Sequence, residues 1–355
     1  MKALRNLPFL TTVAIFLLAY AICIVQFPNM LSTRVIGNLL TDNAFLGIAA
    51  VGMTFVILSG GIDLSVGSVI AFTSVFVAVL VGQLGVHPLV AFALILVIAA
   101  LFGAWMGVMI HFLRIPPFVA TLAGMFLARG AAFLISTQSV PIAHPFLDTL
   151  QGLYFRLPGR GRLTFIAMVM LAVFIVGGII AHRTRFGANI YALGGNQQSA
   201  ELMGVPIART TIGIYTMSGI LSGLAGIVYT LYTSSGYSLA TVGVELDAIA
   251  SVVIGGTLLT GGAGLVAGTF VGILIQGLIQ TYIVFDGTLS SWWTKIAIGI
   301  LLFLFIALQR GLAWFSDLRR IPKSGTGFRA RCALKQIASQ ATNEGGLNWD
   351  CWKRP

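Results

Sequence analysis

Apolar residues run along this chain in blocks of about twenty, separated by short clusters of glycine, proline and charge. A helix needs roughly 20 residues to cross a hydrocarbon core about 30 Å thick, and lipid offers no partner to an unpaired backbone group, so each block reads as a membrane-spanning helix. The blocks fall at 9–26, 38–58, 66–84, 89–111, 117–136, 163–181, 211–232, 246–259, 265–283 and 292–309. The pattern predicts an all-α polytopic membrane protein with about ten transmembrane helices, the eighth of them short.

Composition points the same way. With 57% hydrophobic and 9% charged residues, a chain of 355 residues has too little polar surface to cover a water-soluble globule. The net charge of +11 would suit nucleic acid only if the basic residues formed a groove, which they do not, and no nucleic-acid partner is expected. They sort by loop instead. With a cytoplasmic N-terminus, the ten helices place Lys2, Arg5, Arg114, Arg183, Arg185, Arg209, Arg310, Arg319, Arg320 and Lys323 inside, with five more in the tail. Arg34, Arg129, Arg156, Arg160, Arg162 and Lys295 are left outside or near the outer ends. The excess inside sets both termini in the cytoplasm, against the three arginines of the 137–162 loop. Lys2 and Arg5 ahead of an apolar run that reaches Ala19-Tyr20-Ala21 imitate a cleavable signal, but the run continues to Val25 and reads as the first span.

Candidate chemistry is sparse. No phosphate-cradling Gly-x-x-x-x-Gly-Lys-Ser/Thr loop is present, so the chain is not expected to hydrolyse ATP itself. His87, His111, His144 and His182 are far apart and have no second His or Cys at ligand spacing, so neither a metal site nor a cofactor is expected. Cys23 lies in the first span, and Cys332 and Cys351 in a cytoplasmic tail, where disulfides are not expected. A membrane enzyme acting on polyprenyl phosphates would need clustered carboxylates to hold magnesium, and the one close acidic pair is Glu245 and Asp247.

The informative features are two glycine-rich breaks. GGIDLSVG at 60–67 and GGTLLTGG at 255–262 share their opening glycines, the leucine in fifth place and the final glycine, with Ser65 facing Thr260. Each lies between consecutive spans, as in a transporter built from two related halves, although Gly and Ser also recur wherever helices pack tightly. A third feature is TRFGANIYALGGNQQSAELMGVP, 184–206, on the inner side. It begins basic, turns at Gly194-Gly195-Asn196, and offers Gln197–Met203 as a short helix that Asn196 can cap and that stops near Gly204 and Pro206. It is either a plain connection or, being long for one, a docking element.

GGIDLSVGS, YALGGN at 191–196, ELDAIA at 245–250, and GGT followed by GG at 255–262 resemble the permease subunits of bacterial ABC importers for sugars, the ribose, arabinose and xylose group. The likeness runs in order from about Pro28 to Arg310, and as a whole the sequence is most similar to the permease for galactofuranose; the motifs alone do not choose that sugar over ribose. The resemblance implies a permease that works in pairs, with a second copy or a paralogue, in the bacterial inner membrane. It also implies a periplasmic sugar-binding protein and two cytoplasmic ATPase domains as partners, besides membrane lipid. Under it the 184–206 loop is the element that docks the ATPase, with Tyr191, Gly194, Gly195, Asn196, Glu201 and Gly204 as contact or shape-setting residues.

The expected translocation path or gate comprises Gly60, Gly61, Asp63, Ser65, Gly67, Arg129, Glu245, Asp247, Gly255, Gly256, Gly261 and Gly262. Asp63 is read first as a cap on the third span, near the cytoplasmic surface, and otherwise as an acceptor for sugar hydroxyls. Glu245 and Asp247 suit the N-terminus of the eighth span on the outer side, or contact with the binding protein or entering sugar. Arg129 is an interfacial anchor or a vestibule donor. Trp105, Trp292 and Trp293 mark the membrane interface or stack on sugar. Residues 1–322 form the permease domain, and 323–355, without apolar periodicity, read as a disordered cytoplasmic tail. The competing classes are a secondary transporter or channel, which would carry ionisable residues inside its helices, and a membrane-embedded enzyme.

Overall fold

The computed structural model describes residues 7–290 and 292–320. The chain divides into two units, 1–306 and 307–355; of the second, 307–320 are helical. The expected tail at 323–355 lies outside the described residues.

The first unit is built almost wholly of helices. The elements that follow the apolar blocks are α1 (Leu7–Gln26), α2 (Thr33–Asp42) with α3 (Ala44–Leu58), α4 (Val66–Ala78) prolonged by a π turn at Val79–Gln83, α5 (Pro88–Phe112) and α6 (Pro117–Ile135). They continue with α8 (Phe165–Arg183), α11 (Ile207–Thr233), α13 (Val266–Asp286) and α14 (Trp292–Arg320). Between α6 and α8 lie α7 (Pro145–Gly152) and a hairpin of β2 (Tyr154–Arg156) and β3 (Arg162–Thr164). β1 (Val140–Pro141) pairs antiparallel with β4 (Ser235–Gly236). Two helices, α9 (Arg185–Gly195) and α10 (Gln197–Leu202), join α8 to α11. Since α8 crosses between the hairpin and α9, the hairpin and the α9–α10 pair stand at opposite ends of the bundle.

α2 and α3 form one bent crossing with a 56° turn at Asn43, whose buried amide donates to the Leu39 carbonyl freed there. α11 runs through the centre and packs on α5, α3 and α4. Small residues set these contacts, because lipid tails are as apolar as leucine and close backbone approach has to supply the attraction. A side chain at Gly103 on α5 would overlap the Tyr215 carbonyl on α11, and one at Gly219 would overlap the Ala99 carbonyl. The core around them holds Phe55, Met53, Ile57, Ile70 and Ile95. α5 turns Val97 and Leu101 outward, as a lipid-facing surface requires.

The eighth block departs from its predicted form. Its helix, α12 (Val244–Ile254), has 11 residues and covers about 16 Å, half a bilayer core. The other half is the non-helical stretch from Ser235 to Gly243. The apolar run continued to Leu259 in the sequence, but the helix stops at Ile254, whose carbonyl accepts from Thr12 of α1 at 2.8 Å.

Candidate functional site

The first break begins where α3 ends. Gly60 takes φ +83°, which a side chain disfavours, and lets the Gly60 and Gly61 amides return to the Ile57 and Val56 carbonyls at 2.9 and 3.0 Å. Asp63 follows, 1% exposed. Its Oδ1 accepts from the Ser65 amide at 2.9 Å and the Ser65 hydroxyl at 2.6 Å, so it closes the turn before α4 and does not cap the helix as expected: Ser65 is the N-cap residue and no side chain caps α4. Its Oδ2 accepts from Ser218 on α11 at 2.6 Å. The preceding Ile62 carbonyl accepts from Thr121 on α6 at 3.2 Å. Ser218 lies 11 residues beyond the start of α11, about 16 Å along its axis, so the carboxylate sits inside the bundle and not at its surface as expected from the loop assignment. Tyr215 packs its buried hydroxyl against Gly61, where a side chain would overlap it.

The second break repeats the first. Gly256 takes φ +90°, and the Gly256 and Thr257 amides return to Val253 and Val252 at 2.9 and 3.2 Å. The backbone thus equates Gly60 with Gly256 and Gly61 with Thr257, one residue away from the pairing by glycine identity that matched Gly60 to Gly255. In the structural register Asp63 faces Leu259, so the acid belongs to one half alone. Gly255 packs on the start of α13: a side chain there would come within 2.5 Å of the Gly268 backbone.

The two breaks and α9 meet at one point. The Gly262 amide donates to the Leu58 carbonyl at 2.9 Å. Gly194, near the end of α9, fills the remaining corner: a side chain would overlap the Leu58 carbonyl and lie 2.6 Å from the Gly262 nitrogen. One at Gly261 would come within 2.8 Å of the Gly60 nitrogen and 3.1 Å of the Gly194 oxygen. The Tyr191 hydroxyl donates to the Gly264 carbonyl at 2.8 Å.

Beyond this junction Asn196 caps α10, accepting from the Ser199 amide at 2.8 Å, and Gly204 at φ +77° ends it. Gly195 borders open space. Glu201 is exposed, and beside it Leu202 and Met203 are 89% and 71% exposed. The sequence reading found α10 but not α9, which Thr184 caps through the Gly187 amide at 3.1 Å and whose Phe186, Ile190 and Leu193 carry the helical spacing that could have shown it.

The remaining predicted residues line the non-helical half of the eighth crossing. Arg129 of α6 donates from Nη1 to the Ser238 and Ala240 carbonyls at 2.7 Å each, and the Thr241 hydroxyl reaches the Gly67 carbonyl at 2.7 Å. Backbone at membrane depth survives only with such partners. Glu245 lies against Gly67, accepts from the Gly243 amide at 3.2 Å through Oε1, and has a buried Oε2 without a hydrogen-bond partner among the described residues. Asp247 pairs with Lys295 at 2.5 Å. Its carbonyl accepts from Gln276, the eleventh of 21 residues in α13, at 3.0 Å. The two acids therefore begin a half-helix at mid-depth and not at the outer surface where the span assignment put them. No signal in the sequence marks Ser218, Tyr215 or the Ser238 and Ala240 carbonyls as partners; Leu202-Met203, apolar at the end of a polar helix, is the sequence signal for an exposed contact at this tip.

Discontinuous helices thus meet inside the bundle at both breaks. Among the described residues no group of three metal-ligating side chains converges. A family model described as branched-chain amino acid transport system / permease component matches residues 35–306. The inner membrane ABC transporter permease protein YjfF of Escherichia coli is 64% identical over 308 residues, 87% of this chain and 93% of the relative. The fructose import permease protein FruG of Bifidobacterium longum is 40% identical, covering 87% and 92%, and the ribose import permease protein RbsC of Bacillus subtilis is 39% identical, covering 85% and 92%. No solved structure matches. The chain belongs to this permease family, as a multi-pass inner-membrane permease of the bacterial ABC sugar transporters.

Proposed function

We propose that the chain is the membrane-spanning subunit of an ATP-driven importer that carries a monosaccharide, a pentose or a galactofuranose-like sugar, from periplasm to cytoplasm. ATP hydrolysis takes place on a separate ATPase subunit that docks on α10, sugar arrives from a periplasmic binding protein, and a second permease, a copy of this chain or a paralogue, completes the pathway. Both termini and α9–α10 then face the cytoplasm, in keeping with the basic residues of that side.

The observation that carries the reading is Gly194, wedged between the Leu58 carbonyl and Gly262. It leaves no slack between the docking segment and either break, so displacement of α9 displaces the end of α3 and the loop that leads into α13 together. The half-helix that starts at Val244, with Glu245 in its first turn, and the polar turn at Asp63 lie next to each other across Gly67, as a gate at mid-depth would. Ribose and fructose in the names of the relatives support a monosaccharide substrate.

The test is purification of the tagged full-length chain from its own membranes, followed by uptake of labelled galactofuranose and ribose into proteoliposomes. Co-purification of an ATPase, with uptake that needs both ATP and the binding protein, is the expected outcome. Uptake driven by an ion gradient without ATP would refute the proposal.

A further inference from the structure

Three arginines break the charge rule by standing at the end of the bundle away from α9–α10, and the structure gathers two of them on one face of the β2–β3 hairpin. Arg156 and Arg162 are directly paired across the strands. Like charges in that position repel, and an isolated hairpin would not choose them. Both guanidiniums lie over the ring of Tyr154, at 6.0 and 4.7 Å from its centroid. Neither forms an ion pair with a carboxylate among the described residues. A hydrogen bond from Arg156, then the charges of Arg156 and Arg162, hold the Tyr154 phenol below its usual range.

The hairpin is anchored. Thr33 of α2 donates to the Pro158 carbonyl at 2.5 Å, Thr41 and Thr164 share a 2.8 Å hydrogen bond, and Gly37 packs on the Arg162 backbone. Arg34, exposed beside Thr33 on the same helix, adds a third positive charge to the element that anchors the hairpin. The depth is also set. β3 leads straight into α8, whose 19 residues span about 28 Å, close to the thickness of the hydrocarbon core. Arg162, three residues before that helix, therefore stands at the level of the lipid headgroups. On the alternate face Phe155 is 64% exposed, with Leu153 exposed beside it. Apolar side chains left uncovered next to paired guanidiniums suit an interface in which one side is acyl chain and the other is phosphate.

We propose that the β2–β3 hairpin binds the phosphate of an anionic phospholipid between Arg156 and Arg162, with Phe155 and Leu153 in the acyl boundary. The geometry favours lipid over an acidic protein because the site lies at headgroup depth and its second face is apolar.

The experiment titrates the full-length chain, purified in mild detergent, with phosphatidylglycerol and separately with phosphatidylcholine, and counts bound lipid by native mass spectrometry. Phosphatidylglycerol should bind saturably and about ten-fold more tightly, and the double variant Arg156→Gln, Arg162→Gln should lose that preference. Arg156→Lys with Arg162→Lys should keep part of it, as a point charge can, and Arg183→Gln at the other end should keep all of it. An unchanged thermal midpoint shows that the variants are folded, and single Arg156→Gln serves if the double is not. Undiminished preference in the glutamine variants would overturn the proposal. Displacement by millimolar inorganic phosphate would make it a free-anion site, and tighter binding of a polyglutamate peptide than of phosphatidylglycerol would make it a protein-docking face; either result also overturns it.

Discussion

The Ser218 hydroxyl on α11 donates a 2.6 Å hydrogen bond to Oδ2 of Asp63, joining the first break to the central helix. Asparagine at 63 retains an oxygen for the Ser65 amide and turns an NH2 toward Ser218, whose hydroxyl oxygen accepts. Alanine leaves the Ser65 amide and two hydroxyls without their acceptor, at roughly 1–3 kcal/mol for each donor that stays buried. Asp63→Asn should keep more than half of sugar uptake per permease molecule, and Asp63→Ala less than a tenth. Equal, near-complete loss in both would mean that the charge itself is used.

Gly194 and Gly195 are neighbours in sequence with opposite surroundings: one is closed by Leu58 and Gly262, the other open. Gly194→Ala should cost about 1–3 kcal/mol through overpacking and lower the thermal midpoint in detergent by several degrees, while Gly195→Ala stays near wild type. Similar midpoints for the two would contradict the packing at the junction.

Arg129 satisfies two carbonyls of the non-helical half-crossing. Arg129→Ala should lower the steady-state amount of the protein and its thermal midpoint in detergent, and Arg129→Lys, which can reach one carbonyl, should be intermediate. An Arg129→Ala protein with wild-type abundance and midpoint would show that the segment is held by other means.

How much of this was legible in the sequence depends on how local each cause is. α5 and α8 are long unbroken apolar runs, and their spans could be read directly. α12 could not, because Gly255-Gly256-Thr257-Leu258-Leu259 keeps the apolar character going after the backbone has already turned at Gly256. The repeat was visible as glycines, but its register is fixed by backbone hydrogen bonds, so residue identity mispaired it by one position. Asp63 stood out as an acid in an apolar setting, whereas its partner, 155 residues away, is one serine among several in α11. Arg129 was noticed and its role was not, since carbonyl oxygens have no sequence signature.

Leu202 and Met203 project from the tip of α10. If this tip is the ATPase contact, Leu202→Asp should abolish co-purification of the ATPase and Glu201→Arg should weaken it, with membrane insertion and thermal midpoint unchanged because neither side chain is packed in the bundle. Wild-type recovery of the ATPase with both variants would remove α10 from the interface.

The coupling of α10 to an ATPase is most directly tested by photo-cross-linking. A photoreactive phenylalanine analogue is placed at position 202 on α10 or, as the opposite end, at position 155 on β2, in the assembled transporter in its own membranes. The proposed docking of an ATPase on α10 predicts an adduct with the ATPase from 202 and none from 155. An ATPase adduct from 155, or its absence from 202 in an intact complex that still transports sugar, would contradict the account.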